Sequence, residues 1–125
     1  MQDFATAVKA HLKTVSDKDI AAFSKYLHPD YEPIIIMPKG AIVQGYQDAL
    51  DLHKEWFDDP DWSMEVAVLD VFCVGNIGYA LVDVVYHDLD LDKVHYMMNY
   101  YLSLVFIYVS DLDRWILLRD QNTLK

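Results

Sequence analysis

The feature that most constrains the fold is a change of sequence pattern at Pro60. Before this residue, apolar side chains recur every three or four positions, which is the spacing of amphipathic helices. After it, four long segments are rich in β-branched and aromatic residues and are separated by short turns, which is typical of strands. Neighbouring strands joined in this way usually pair, so we expect helices packed on an antiparallel sheet, an α+β fold. The predicted strands are Trp62 to Val74, Ile77 to His87, Val94 to Val109 and Arg114 to Asn122.

Three helices are predicted in the first half of the chain, each with an apolar stripe along one side. Capping residues and prolines set their ends. The helices are expected from Phe4 to Val15, from a cap at Ser16 or Asp17 as far as His28, and from Gly45 to Pro60. Two short strands are predicted between the second and third helices, at Tyr31 to Met37 and at Ala41 to Val43.

The third long strand is apolar on both of its alternating faces. The helices can cover one face, whereas the other would stay exposed unless a second subunit buries it. We therefore predict a homodimer through the sheet face, and the sequence leaves open which face lines the interior. One face carries Tyr96, Met98, Tyr100, Leu102, Leu104 and Phe106, and the other carries Met97, Tyr101, Val105 and Ile107.

Composition and charge limit the possible partners. A chain of 125 residues that is 54% apolar is expected to form one domain, residues 1–125, with a continuous core. The formal net charge of −10 would repel nucleic-acid phosphates and anionic lipid headgroups, and charges interrupt every apolar run before it reaches membrane-spanning length. We expect neither nucleic acid nor membrane as a partner. Cys73 has no second thiol with which to pair, which favours a cytoplasmic location.

Four short motifs, together with the order of the predicted elements, resemble a known superfamily. They are Asp19-Ile20, Gly40-Ala41-Ile42-Val43-Gln44-Gly45, Asp111-Leu112-Asp113-Arg114-Trp115 and Asp120-Gln121-Asn122-Thr123. The chain resembles the nuclear transport factor 2-like (NTF2-like) superfamily over nearly its whole length. The resemblance is greatest to the small SnoaL-like and ketosteroid isomerase-like proteins and to the association domain of the calcium/calmodulin-dependent kinase. It implies a cystatin-like cone, in which three helices of the N-terminal half pack on a curved antiparallel sheet around a cavity.

The resemblance also implies where a ketosteroid isomerase-like enzyme would keep its catalytic groups. Alignment on Asp19-Ile20 puts His11 at the position of the oxyanion-donating tyrosine. The position of the catalytic aspartate is held by Met37, or by Ile35 if the strand is aligned without a gap, and that of the second aspartate falls near Leu102. The general base is therefore missing, and steroid-type proton transfer is not expected.

The helical candidates each have a structural alternative. His11 either donates to a ligand, or acts as an acid or base, or is a partly buried structural histidine. His53 and Trp56 lie three positions apart on one face of the third helix, where they either contact the pocket or pack in the core.

The strand candidates leave two readings open as well. Tyr96, Met98 and Tyr100, with the apolar Leu102 deeper in, would form an aromatic, polarizable wall for a flat apolar ligand if their face is inward. They would fill a solid core if there is no cavity. Asp120 and Asn122 either hold a hydroxyl or carbonyl of the ligand or bond the local backbone at a strand end.

These residues predict an apolar pocket that binds a small, largely hydrophobic molecule. If the protein is an enzyme, a lyase, isomerase or hydratase using His11 or Asp120 as acid or base is the expected class. The alternative is a non-catalytic interaction or oligomerisation module, which the resemblance to the kinase association domain implies.

No cofactor or metal is expected. Gly40 and Gly45 match no phosphate-binding fingerprint. His87 and His95 flank an acidic loop and can face each other across a hairpin, but the sequence offers no closed set of zinc ligands around them.

Overall fold

The apolar patterns produce three α-helices and six strands in a computed structural model that describes residues 2–125. The four predicted long strands are confirmed, with small shifts at their ends. Within residues 2–125, no helix is both long and apolar enough to cross a membrane. The helices are α1 (Phe4–Ser16), α2 (Ile20–Phe23) and α3 (Tyr46–Phe57). The strands are β1 (Ile34–Ile36), β2 (Ile42–Gln44), β3 (Ser63–Val74), β4 (Ile77–Leu89), β5 (His95–Val109) and β6 (Arg114–Leu124).

All six strands belong to one sheet, in the order β2-β1-β6-β5-β4-β3. The four long strands form the predicted antiparallel meander. The short strand β1 lies parallel to β6, with Ile35 opposite Asp120, so the sheet is mixed. Register shifts after Val68 in β3 and after Val105 in β5 mark bulges, which increase the local twist and bend a sheet. The curved sheet can therefore wrap one face around the helices.

The second helix is shorter than predicted and has a different cap. Asp17 ends α1, and Lys18 follows it with a positive φ of 56°, so the backbone turns before a new helix can start. Asp19 caps α2 with its carboxylate, and neither Ser16 nor Asp17 does so. α2 makes a single turn and continues as the 3-10 helix Ser24–Tyr26. The predictions of the cap and of a full second helix were wrong.

The third helix begins after Gly45, as predicted. Gly45 has a φ of 100°, a conformation that strains other residues, and a Cβ atom there would lie 2.9 Å from Glu32 Oε2. The backbone at this turn accepts the N–H of Ala49 and so starts the helix. α3 then buries Ala49, His53 and Phe57 against the rest of the protein.

The two faces of the sheet differ in burial, and this identifies the inner face. Four side chains on the inner face of β5 are at most 7% exposed, whereas four large apolar side chains on the outer face of the sheet are 40% to 58% exposed. The buried set is Tyr100, Leu102, Leu104 and Phe106, and the exposed set is Phe72, Tyr79, Met97 and Tyr101.

Phe4 fixes the start of α1 on the inner face. Its ring is buried and lies 4.8 Å from the Trp115 ring and 5.8 Å from the Phe106 ring, measured between centroids. The same ring covers Gly78 of β4, where a Cβ atom would lie 2.4 Å from it. Glycine at this position therefore permits the close approach of helix and sheet.

Candidate functional site

A cavity of about 620 Å³ lies between the helices and the inner face of the sheet. Helices α1 and α3, strand β1 with the turn that follows it, and strands β3 to β6 all contribute to its wall. The apolar side chains that line it include Leu12, Val15, Ile35, Met37, Leu52, Trp56, Met64, Met98 and Leu102. The titratable or amide side chains that line it are His11, Lys39, His53, Glu55, Asp59, Tyr86, Tyr96, Tyr100, Asp120 and Asn122.

The structure brings all the candidate site residues together around this one cavity. From the helices come His11, His53 and Trp56, and from the strands and the turn after β1 come Met37, Met98, Tyr100, Leu102, Asp120 and Asn122. Their spatial convergence is therefore established, and their roles toward a ligand stay predictions.

Strand β6 supplies the polar end of the cavity. Asn122 donates its side-chain amide hydrogens to Ile36 O at 2.8 Å and to Asp120 Oδ1 at 3.0 Å, which leaves its own carbonyl oxygen as an acceptor. Burial raises the pKa of Asp120 from 3.8 to about 7, although the hydrogen bond from Asn122 opposes that shift. Burial, with the nearby Asp120 charge, also raises the pKa of Tyr100, so its phenol keeps its proton. This end therefore offers both donors and acceptors near neutral pH.

Two buried histidines form part of the helical wall, and both are neutral at pH 7. Burial and the proximity of His53 lower the pKa of His11 from 6.5 to about 3, and its Nδ1 atom is buried without a hydrogen-bond partner among residues 2–125. Burial lowers the pKa of His53 to about 4. His53 Nδ1 lies 2.7 Å from Ala49 O, which fixes the hydrogen on Nδ1 and leaves Nε2 with a lone pair. His53 also stacks on Phe23, with 4.0 Å between ring centroids.

A cluster of aromatic side chains forms the wall of the cavity at the end of α3. The Trp56 ring stacks on Trp62 with 4.1 Å between centroids. The Trp56 indole N–H points to the Tyr86 hydroxyl at 3.3 Å, and that hydroxyl donates to Asp88 Oδ2 at 2.6 Å. Trp62 donates its indole N–H to the backbone oxygen of Trp56 at 2.7 Å. These bonds hold Trp56 in one orientation beside the cavity.

Comparison with known proteins identifies the fold. No protein-family model matches the sequence, and no curated protein matches it. A solved ketosteroid isomerase-like protein from Erwinia carotovora atroseptica superposes with a TM-score of 0.78 at 13% identity, covering 96% of this chain and 92% of that one. An NTF2-like superfamily protein from Salmonella enterica serovar Typhimurium gives a TM-score of 0.73 at 12% identity, covering 95% and 86%. The association domain of C. elegans CaMKII gives 0.69 at 16% identity, covering 97% and 92%. The chain has the NTF2-like fold.

In this NTF2-like fold, the carboxyl group beside the first strand belongs to the neighbouring strand β6. The positions at which a ketosteroid isomerase-like enzyme would keep its carboxyl groups hold apolar side chains here. These side chains, Ile35, Met37 and Leu102, all line the cavity. Asp120 stands opposite Ile35 in the parallel pairing of β6 with β1. The cavity therefore contains one partly buried carboxyl at its polar end, and that carboxyl comes from β6.

Sequence reasoning missed several residues of the NTF2-like cavity. Tyr86 is the most important of these, because its hydroxyl links Trp56 to Asp88. Its signal was the alternation of Val82, Val84 and Tyr86 along β4, which are all buried on the inner face.

The two histidines that flank the acidic loop do face each other across the hairpin of β4 and β5. His87 Nδ1 lies 3.1 Å from His95 Nε2, and the rings stack with 5.3 Å between centroids. Glu65 accepts from His87 Nε2 at 3.0 Å. Within residues 2–125, no group of three or more histidine, cysteine, aspartate or glutamate side chains is arranged so that it could hold a metal ion.

Proposed function

We propose that this protein binds a small, largely hydrophobic molecule in the cavity of its NTF2-like fold. The observation that carries the proposal is the cavity itself: about 620 Å³, walled mainly by aromatic, methionine and aliphatic side chains, with a few polar groups at one end. Small-molecule sites usually have this size and this balance of surfaces. The apolar wall would supply affinity, and the polar end would orient the ligand.

The polar end favours a ligand with a hydroxyl or carbonyl group. Asp120 and Tyr100 can donate hydrogen bonds, and the free carbonyl of Asn122 can accept one. The flat body of the ligand would lie between Met98 of β5 and Trp56 of α3, both of which line the cavity.

Native mass spectrometry of the purified protein, compared with a denatured control, tests this proposal. We expect a bound small molecule that is released on denaturation. Met98→Trp should fill the cavity and abolish retention of that mass. Met97→Trp is the matched control, because Met97 is the neighbouring residue on the outer face, 53% exposed, and should leave retention unchanged. Retention that Met98→Trp leaves intact would place the molecule elsewhere and overturn the proposal.

A lyase or isomerase activity is proposed for the same cavity, without the base of ketosteroid isomerase. The observation that favours it is Asp120, whose pKa of about 7 lets it both accept and donate a proton near neutral pH. His11 is the weaker candidate, because a pKa of about 3 makes its imidazole a poor base. Proton transfer by Asp120 is therefore the preferred mechanism.

A probe reaction can test Asp120 without knowledge of the natural substrate. A carboxylate removes the ring C–H proton of 5-nitrobenzisoxazole while the N–O bond breaks, giving a nitrile and a phenolate. We expect the protein to accelerate this reaction and Asp120→Asn to lower the rate about 100-fold, the usual size of general-base catalysis. Asp70→Asn, at an exposed position of β3, is the control. Equal rates for the Asp120 variant and the parent would rule out this role.

We also propose that the protein forms a homodimer through the outer face of its sheet. The supporting observation is the apolar surface left open there, including Phe72 and Tyr79, which are 58% and 47% exposed. Sedimentation of the parent should give a dimer, and Phe72→Lys with Tyr79→Lys should give a monomer. A ring larger than a dimer with an empty cavity would instead favour the interaction or oligomerisation module.

The proposed location is the cytoplasm, because Cys73 is exposed and has no disulfide partner.

A further inference from the structure

The charged side chains at the solvent-exposed rim of the cavity are mostly acidic. Glu55 and Asp59 bring two carboxylates from the end of α3 and the residues after it. Lys39, in the turn between β1 and β2, is the one lysine or arginine that lines the cavity among residues 2–125. The whole chain has a formal charge of −10, so its field attracts cations and repels anions. An anionic ligand would therefore meet repulsion at the entrance.

The same entrance presents an aromatic face. Trp56 lines the cavity, as do Glu55 and Asp59, and one face of its ring is covered by Trp62 with 4.1 Å between centroids. The Lys18 ammonium lies 4.2 Å from the centroid of Trp62 and donates to the backbone oxygen of Asp59 rather than to its carboxylate. This stack already accepts one cation on its outer side, and the face of Trp56 toward the cavity is left for a second.

A hydrogen-bond acceptor lies next to that face. His53 is 5% exposed and lines the cavity, with its ring centroid 5.9 Å from that of Trp56. Because His53 Nδ1 carries the hydrogen bonded to Ala49 O, its Nε2 lone pair is left for a donor in the cavity. A ligand N–H group would meet an imidazole acceptor, an indole face and two carboxylates.

We propose that the ligand is an amphiphilic organic amine, whose flat apolar body enters the cavity and whose ammonium group lies at the entrance beside Trp56, Glu55 and Asp59. This inference rests on the proposed function, that the cavity takes a small hydrophobic molecule. An ammonium at the entrance keeps part of its hydration shell. It therefore avoids most of the free-energy cost of desolvation that a charge buried inside the cavity would incur. The amine therefore determines the orientation of the ligand as well as its class.

Three naphthalene probes that differ in charge test the proposal by isothermal titration calorimetry. They are 2-naphthylmethylamine, which is cationic at pH 7, 2-naphthalenemethanol, which is neutral, and 2-naphthoate, which is anionic. We expect the amine to bind about tenfold more tightly than the alcohol, which is the size of one cation–π contact with carboxylate support, and the anion to bind most weakly.

Charge-removing variants locate the effect. Glu55→Gln with Asp59→Asn should bring the Kd of the amine to that of the alcohol while leaving the alcohol unchanged. Asp51→Asn with Asp58→Asn is the matched control, because it removes two charges from α3 and its C-terminal cap at residues that do not line the cavity, and it should keep most of the preference.

The outcomes separate the two proposals. Binding of the alcohol without a preference for the amine would overturn the inference and leave the hydrophobic pocket standing. Equal loss of preference in the control double variant and in Glu55→Gln with Asp59→Asn would also overturn it, because the selectivity would then come from net charge alone. The parent protein is first denatured and refolded, which removes any retained ligand that would compete with the probes. If none of the three probes then binds, that result counts against the pocket itself.

Discussion

Replacing Asp120 with asparagine is expected to make the stability of the protein depend more steeply on pH. Between pH 5 and 6, His11 and His53 are neutral in the folded state because burial lowers their pKa values to about 3 and about 4. Both imidazoles take up protons when the chain unfolds, so a lower pH favours the unfolded state. Asp120 acts in the opposite direction. Its pKa of about 7 keeps it protonated in the folded state, and it releases that proton on unfolding, where its ordinary value is 3.8.

The magnitude follows from counting these protons. Each proton taken up on unfolding changes the free energy of unfolding by about 1.4 kcal/mol per pH unit. In the parent, two protons are taken up and one is released, so stability should fall by about 1 kcal/mol for each unit that the pH drops between 6 and 5. In Asp120→Asn the opposing proton is gone, and the slope should rise to about 2.5 kcal/mol per unit. Asparagine keeps an oxygen that can accept the hydrogen bond from Asn122.

Urea unfolding followed by tryptophan fluorescence at pH 5.0, 5.5 and 6.0, at one protein concentration, measures both slopes. Asp70→Asn removes an exposed carboxyl from β3 and is the control, with the slope of the parent. His11→Leu should shift the slope in the other direction, because it removes one proton uptake. A slope for Asp120→Asn equal to or smaller than that of the parent would refute the assignment of a protonated Asp120 to the folded cavity.

Three further substitutions test the packing that supports the site. Gly78→Ala places a methyl group against the Phe4 ring and should lower the free energy of unfolding by about 2 kcal/mol. The same change in a Phe4→Leu background should cost much less, and equal costs in both backgrounds would contradict the contact. Tyr86→Phe removes the hydroxyl that accepts the Trp56 indole N–H and should cost about 1 kcal/mol in urea unfolding, whereas an unchanged midpoint would mean that the bond contributes nothing. Asn122→Leu leaves a backbone carbonyl of β1 without its donor and should cost about 1 to 3 kcal/mol. Hydrogen exchange of the β1 backbone amides should be faster in this variant than in the parent. Unchanged exchange would show that the Asn122 side chain does not hold the strand.

The long strands could be predicted from sequence because their signal is local. In β5, alternate residues such as Leu102 and Leu104 are buried while Met97 and Tyr101 on the other face are exposed, which is the period-two pattern of a strand with one covered face. The candidate residues Asp120 and Asn122 were predicted differently, from their place at the end of the last strand, where the resemblance implies polar groups of the pocket.

The remaining features depend on information that is not local. Ser16, Asp17 and Asp19 can all cap a helix, and the choice of Asp19 follows from the turn at Lys18. The partner of β1 cannot be read from three isoleucines, which would suit a pairing in either direction. The raised pKa of Asp120 likewise comes from burial by residues distant in sequence. The elements of the site were therefore predictable, and the electrostatics that they create together were not.

The pairing of β1 with β6 also has a kinetic consequence. The bond from Asn122 to Ile36 joins residues that are 86 positions apart in the sequence. Contacts between such distant residues form slowly, because a long loop must close before they stabilise anything. During synthesis, α1, α3 and the first long strands leave the ribosome before β6 exists, so their inner apolar surfaces wait for the last strand. The polar end of the cavity should then be the final part to form, and a nascent chain stalled before Arg114 should lack it and be a target for chaperones.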